Sequence, residues 1–118
     1  MDDSVDTCEM LSALLGQLGY EVLTRHTCAD ALSAAPADAA DLYVLDTRLT
    51  DCSGYDLCRR LCAAAPGKPL VFYTGAAAAG ARAEGLAAGA CAYVVKPTVD
   101  ELVATVTHLL PARRNGAT

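Results

Sequence analysis

The 118-residue chain contains no isoleucine and no tryptophan, so its core has to be assembled from leucine and valine. Alanine supplies 24 residues, and close alanine-faced contacts must fill much of the rest. No apolar run approaches the roughly 18 residues of a membrane span, and the opening MDDSVDTCE is the opposite of a signal peptide. Positive charge is scarce: nine Lys and Arg stand against 14 Asp and Glu, for a net charge of -5. That balance argues against an unaided binder of nucleic acid or of an anionic membrane. With 53% hydrophobic and 19% charged residues, the expectation is a single soluble, cytoplasmic, globular domain rather than a disordered segment.

The six cysteines, at 8, 28, 52, 58, 62 and 91, include no Cys-x-x-Cys pair. The best-spaced pair is Cys58 with Cys62, one helical turn apart, and no histidine lies near them. Neither a disulfide scaffold nor a zinc site is expected. The thiols read as small hydrophobes in apolar-periodic segments.

The segments alternate with a regular beat. Val5, Cys8, Leu11, Leu14, Leu15 and Leu18 recur at helical spacing, with Asp3 or Ser4 to cap the start and Gly19 to end it. EVLTR (21–25) reads as a short strand. Thr27 opens a second helix that Pro36 closes. DLYVLD (41–46) is a strand ending in a carboxylate, and Asp51, Ser53 and Gly54 lead into a third helix that presents Leu57 and Leu61 on one side. LVFYT (70–74) has the continuous apolar character of a strand covered on both faces. A fourth helix over about 78–88 and a strand CAYVV (91–95) follow, and a last helix starts at Thr98 or Asp100. Its apolar stripe is Leu102, Val103, Val106, Leu109 and Leu110, and residues 111–118 read as a polar tail. The two glycines of helix four, Gly80 and Gly85, have two readings: a soft helix, or close packing of an alanine-rich one. Alternating helices and buried strands predict a doubly wound parallel sheet with helices on both faces. The chain begins with a helix, and no strand precedes it.

In open parallel sheets of this kind, ligands bind beyond the carboxyl ends of the strands. Asp46, Thr74 and Lys96 each stand just past a strand, and Asp2 and Asp3 stand where the end of a preceding strand would be. Hard carboxylate oxygens in a loose cluster suit Mg²⁺, which takes few protein ligands and keeps several waters. A metal there could neutralise a phosphoryl group arriving at one carboxylate. Thr74 and Lys96 could then bind phosphoryl oxygens, and an aspartate can itself be the nucleophile. Each residue alone has an ordinary explanation as a turn former, cap or surface charge; their convergence points to a site.

With those residues in place, the sequence resembles the receiver domain of two-component response regulators over nearly its whole length. Asp2-Asp3 is similar to the family's acidic pair, Asp46 to its phosphoacceptor, Thr74 to its switch hydroxyl and Lys96-Pro97 to its lysine and cis-bonded proline. LDTRLTDCSGYDLCRRL, AAGACAYVVKP and the gaps of 28 residues from Asp46 to Thr74 and 22 from Thr74 to Lys96 follow the family pattern. The resemblance implies a flavodoxin-like (βα)5 fold with strand order 2-1-3-4-5, lacking here the first strand, over residues 1–110. A chemotaxis receiver is a standard example of that strand order. The resemblance further implies that Asp46 accepts a phosphoryl group from a sensor histidine kinase or a histidine phosphotransfer protein, with Mg²⁺ as cofactor. Asp3, Asp2, Asp46 and the backbone carbonyl of Arg48 would hold the metal, Asp3 most directly. Tyr93 matches the aromatic switch, and helix four, strand five (CAYVV) and helix five would form the contact surface for a downstream protein.

The sequence departs from the family at Thr50, where a proline is usual, and Arg48 is a long cation beside the phosphoryl position. It reads either as an exposed loop arginine or as a shield of the acyl phosphate. His26 and His108 match no family role and read as surface residues. The leading expectation is a stand-alone phosphoacceptor switch, not a conventional enzyme, that undergoes Mg²⁺-dependent self-phosphorylation and self-dephosphorylation. It would act through protein contacts, without direct binding of nucleic acid or membrane. The alternatives are a phosphorylation-independent interaction module on the same fold, or the receiver piece of a larger regulator. The family pattern also needs about five apolar residues before the acidic pair, where only Met1 stands. Seven Arg against two Lys, with the alanine content, suggest a GC-rich coding sequence in which a GTG valine codon can be read as a start. The expectation is therefore a chain that begins inside its natural product. It would leave a gap of roughly 10 Å in the sheet, and it would be poorly stable, weak in metal binding, or filled by a strand from another chain.

Overall fold

The computed structural model describes residues 1–111; most of the predicted tail lies outside them. Three strands form one parallel sheet in the order β1 (Tyr43–Leu45), β2 (Leu70–Thr74), β3 (Ala92–Val95). Tyr43 pairs with Leu70 and Leu45 with Phe72; Phe72 in turn pairs with Tyr93 and Thr74 with Val95. All five residues of β2 are buried, as its unbroken apolar run predicts.

Alternation along the strands divides the core in two. Leu45, Leu70, Phe72 and Tyr93 face one layer, where α2 (Cys28–Asp38), α3 (Gly54–Ala64) and α4 (Ala79–Ala87) pack. Val71, Tyr73 and Val94 face the other, where α1 (Val5–Gln17) contributes Leu11 and Leu15 and α5 (Val99–Leu109) contributes Leu102 and Val106. This is the doubly wound arrangement that the alternation of elements predicts. Among the described residues no helix is long and apolar enough to cross a membrane.

The helix ends follow local chemistry. Ser4, Thr27 and Ser53 each accept a backbone N–H of the first turn of α1, α2 and α3, which satisfies one of the orphan donors there. Thr98 occupies the cap position of α5 without such a bond. Its first turn instead carries Asp100 and Glu101 and its last turn His108, charges placed favourably along the helix dipole. Pro36 does not close α2. The helix continues to Asp38 and ends at Ala39 in the left-handed conformation, φ 47°. The proline costs one hydrogen bond in the last two turns, and Ala39 N–H still reaches Ala35 O. On α1, Val5 and Leu18 are exposed rather than buried, and the inward face is narrowed to Cys8, Leu11 and Leu15.

The largest correction concerns EVLTR, which belongs to no strand. A strand needs a ladder partner, and between this segment and β1 stand only Met1 and Asp2. These two make one rung of a parallel strand. The Met1 α-ammonium donates to Val44 O at 2.7 Å, Asp46 N–H donates to Met1 O at 3.0 Å, and Asp2 N–H donates to Arg25 O at 3.1 Å. Below that rung opens a cavity of about 370 Å³, walled by Val22 and Thr24 on one side, Leu42 and Val44 on the other, and floored by Leu15, Tyr73 and Val106. Leu23 is half exposed at 48%.

Candidate functional site

The carboxyl ends of the three strands and the Met1–Asp2 rung converge on one edge. Asp46 follows β1 directly, and its Oδ1 accepts Thr47 N–H at 2.7 Å. Asp2, 4% exposed, enters from the rung with its Oδ1 fixed by Ser4 N–H at 2.9 Å. The Lys96 ammonium, carried past the end of β3, bridges the two carboxylates, at 2.9 Å from Asp2 Oδ2 and 3.2 Å from Asp46 Oδ2. Lys96 N–H donates to Thr74 O at 2.7 Å, and its ammonium lies 5.8 Å from the centroid of the Tyr73 ring. The following Lys96–Pro97 bond is cis, as the resemblance implies. Burial alone would lower the Lys96 pKa, but the hydrogen bond to Asp2 and the charges of Asp46 and Asp2 outweigh it and hold the ammonium above its ordinary value.

Asp3 is exposed, yet Asp2, Asp3 and Asp46 each place a carboxylate oxygen within 4.8 Å of the others. Three hard anionic donors at that spacing fit an octahedral Mg²⁺ that keeps several waters. Three carboxylates against two ammonium groups, Lys96 and Met1, leave one net negative charge, which a further cation would offset. The Met1 ammonium is nonetheless uncomfortable: burial lowers its pKa, against the pull of Cys8, Asp2 and Asp46. Arg48 is exposed, and its backbone bridges Ser53 in antiparallel fashion.

Thr74 is 2% exposed. Its Oγ1 lies 2.8 Å from Oγ1 of Thr47 and accepts Ala76 N–H at 3.2 Å. Thr47, also buried, was not singled out by the sequence; a hydroxyl next to a strand-end aspartate was the available signal. Tyr93 points inward. Its ring lies 5.7 Å from that of Phe72, and its hydroxyl donates to Ala76 O at 2.7 Å. Burial, then the neighbouring Tyr55 hydroxyl, pushes the Tyr93 phenol well above its ordinary value. Ala76 is thus held from both sides, by Thr74 through its N–H and by Tyr93 through its carbonyl.

Two sequence readings need correction. His26 is half-buried rather than solvated, with Nδ1 3.0 Å from Asp2 O and 3.7 Å from Cys8 Sγ, because Asp2 pairs with the segment that carries it. His108 is exposed as expected. Cys28 and Cys52 are not separate hydrophobic thiols but a disulfide, with Cα atoms 6.1 Å apart. Cys58 and Cys62 stay unbridged.

The response regulator receiver domain family matches residues 1–107. The probable transcriptional regulatory protein TcrX of Mycobacterium tuberculosis is 36% identical over 119 residues, which cover 100% of this chain and 50% of that one. The transcriptional regulatory protein CreB of Escherichia coli is 34% identical over 111 residues, 93% of this chain and 48% of that one. The chain therefore spans about half the length of these curated relatives. The BeF3-activated receiver domain of DrrB, a Thermotoga maritima protein, superposes with a TM-score of 0.84 at 34% identity, covering 92% of each chain. A two-component response regulator from Clostridium difficile gives 0.87 at 26% identity, covering 98% of this chain and 94% of that one. A match of this extent, on a doubly wound sheet whose strand ends gather Asp2, Asp46, Thr74 and Lys96, places the chain in the response regulator receiver domain family of two-component systems.

Proposed function

We propose that the domain is a phosphoacceptor switch in which Asp46 takes a phosphoryl group from the phosphohistidine of a sensor kinase or phosphotransfer protein. The observation that carries this reading is the Lys96 ammonium bridging Asp46 and Asp2 at 3.2 and 2.9 Å. A carboxylate oxygen of Asp46 attacks phosphorus, the P–N bond breaks, and its electron pair leaves with the imidazole. Lys96 is placed to pair with the incoming phosphoryl oxygens, and Thr74 to donate its hydroxyl once it leaves Thr47. Asp2, Asp3, Asp46 and the Arg48 carbonyl would hold Mg²⁺, which supplies charge neutralisation at the transferring group. The chemistry is a single transfer onto the protein and its hydrolysis, not turnover of a separate substrate. The cytoplasm, where such kinases present their phosphohistidine, is the setting this reading requires. The output passes through protein contacts on α4, β3 and α5, without nucleic acid or membrane bound by this domain itself; longer relatives carry further chain.

Incubation with Mg²⁺ and acetyl phosphate, followed by intact mass, tests this reading against a phosphorylation-independent contact module. The switch predicts a gain of one phosphoryl mass that Asp46→Asn abolishes. No gain in the parent chain, or the same gain in Asp46→Asn, would overturn it.

A further inference from the structure

The loop after Asp46 is closed on itself. Gly54 N–H donates to Thr47 O at 2.8 Å, Leu49 N–H donates to Cys52 O at 3.3 Å, and Arg48 bridges Ser53. Because these bonds tie both ends together, a displacement of Cys52 moves Thr47 and Arg48 with it. The loop is also joined to the first turn of α2 by two separate links. Asp51 accepts Cys28 N–H at 2.8 Å and Ala29 N–H at 3.0 Å, one on each carboxylate oxygen, and Cys52 is covalently bonded to Cys28. The noncovalent link would survive reduction; the covalent one would not.

We propose that Cys28 and Cys52 form a reversible dithiol–disulfide modification site, which low-molecular-weight disulfides oxidise and thiols reduce, and that its oxidation staples the phosphoacceptor loop to α2 and slows phosphorylation of Asp46. The second half of this rests on the function proposed above. Cys52 is partly exposed and Cys28 is 4% exposed, which sets the order of events. The Cys52 thiolate attacks a disulfide RSSR, forming the mixed disulfide and releasing one RS⁻. Cys28, at the first position of α2, is held beside Cys52 by the two Asp51 hydrogen bonds. It attacks Cys52 Sγ and expels the second RS⁻. The two thiol protons end on the two departing thiolates, so two protein thiols are oxidised as one RSSR is reduced to two RSH. The other cysteines are worse placed: burial pushes the Cys58 thiol up to about 12, and Cys91 is exposed without a bonded partner.

The consequence for Asp46 is one of access. Its side chain is 12% exposed, and the loop that Cys52 anchors begins at the next residue. Thr47 N–H, the first donor of that loop, holds Asp46 Oδ1 at 2.7 Å, so a phosphoryl donor that engages this oxygen moves the loop, and a loop bonded covalently to α2 yields less often than one held by hydrogen bonds alone. In a reducing compartment such a bond is transient and regulatory rather than structural.

The test equilibrates the full chain with oxidised or reduced glutathione, blocks free thiols by alkylation and maps the linked peptides by mass. The two forms are then labelled with Mg²⁺ and acetyl phosphate. The expected result is a Cys28–Cys52 linkage that forms and breaks with the reagent, a higher melting temperature when oxidised, and labelling several-fold slower in the oxidised form. Cys52→Ser should remove all three differences, and Cys91→Ser should keep them. Linkage between other cysteines, or none, overturns the site. Equal labelling of both forms overturns the coupling while leaving the site. If neither form is labelled, the coupling falls with the proposed function, and the mapping and melting data still decide the disulfide itself.

Discussion

Adding five β-branched apolar residues ahead of Met1 should convert the single Met1–Asp2 rung into a full strand and raise stability substantially. The geometry is already set. Met1 bonds Val44 O and receives Asp46 N–H, as a parallel partner of Leu45 would, and the cavity of about 370 Å³ continues that line between 21–25 and β1. A strand there is covered on both faces, so each residue gains about 2 kcal/mol from burial, or about 10 in all. Ordering five residues costs about 1.5 kcal/mol each, or about 7.5. Ladder bonds to two neighbours, worth net about 0.5 kcal/mol or more apiece, leave a gain of about 3–5 kcal/mol. For a domain of this size that is a rise of about 10 °C or more in melting temperature. Turning the buried ammonium into a peptide N–H keeps the bond to Val44 O and removes a desolvated charge. Circular dichroism melts of the parent, the apolar extension and a five-residue Gly/Ser extension would decide it. A Gly/Ser extension that melts as high as the apolar one, or an apolar extension that melts no higher than the parent, would refute the strand.

Glycine replacements should divide sharply: a Cβ at Gly54 would lie 2.0 Å from Asp46 O and one at Gly85 2.8 Å from Tyr93 Cδ2, whereas one at Gly80 meets nothing within 4 Å. Denaturant unfolding should therefore show losses of about 1–3 kcal/mol for Gly54→Ala and Gly85→Ala and a gain of up to about 1 kcal/mol for Gly80→Ala. Asp51, whose carboxyl is held below its ordinary 3.8 by hydrogen bonds from Cys28 and Ala29, contributes stability that is full above that value and is lost as pH falls through the lowered one. Melting temperature recorded from pH 6 downward should thus fall more steeply in the parent than in Asp51→Asn across that acid window; parallel curves would show that the carboxylate is not responsible.

What could be read along the chain is what depends on local pattern. The buried run LVFYT, the alternation of helices and strands and the placement of Asp46, Thr74 and Lys96 at the ends of strands are all properties of neighbouring residues, and the fold honours them. EVLTR has the composition of a strand but no ladder, because strand identity depends on a partner that local pattern cannot supply. The Cys28–Cys52 bond was equally hidden: its halves are 24 residues apart, on segments that meet only once the sheet has formed. Gly85 could be read as softness or as close packing, and a Cβ there would lie 2.8 Å from Tyr93 Cδ2, which supports close packing at that position.

Thr47 shows why the site was less legible than the strands that carry it. Its hydroxyl and that of Thr74 are both buried and share one hydrogen bond of 2.8 Å. If Thr74 turns to a phosphoryl oxygen on Asp46, Thr47 is left to find another partner, and an unpaired buried hydroxyl costs about 1–3 kcal/mol. The same turn releases Ala76 N–H, whose carbonyl Tyr93 holds from the other side. Thr74 therefore cannot change partner without altering two neighbours, one toward Asp46 and one toward the α4 end of the domain. A resting state in which Thr47 satisfies Thr74 sets the energy that phosphorylation has to exceed before Tyr93 loses its hold on Ala76. Thr47→Val, which removes that competing hydroxyl at nearly constant volume, lowers this threshold on the Asp46 side and leaves the Tyr93 side unchanged. The fraction of chain labelled at steady state with Mg²⁺ and acetyl phosphate should therefore rise in Thr47→Val, and a fraction equal to or below that of the parent would show that the Thr47 hydroxyl does not restrain Thr74.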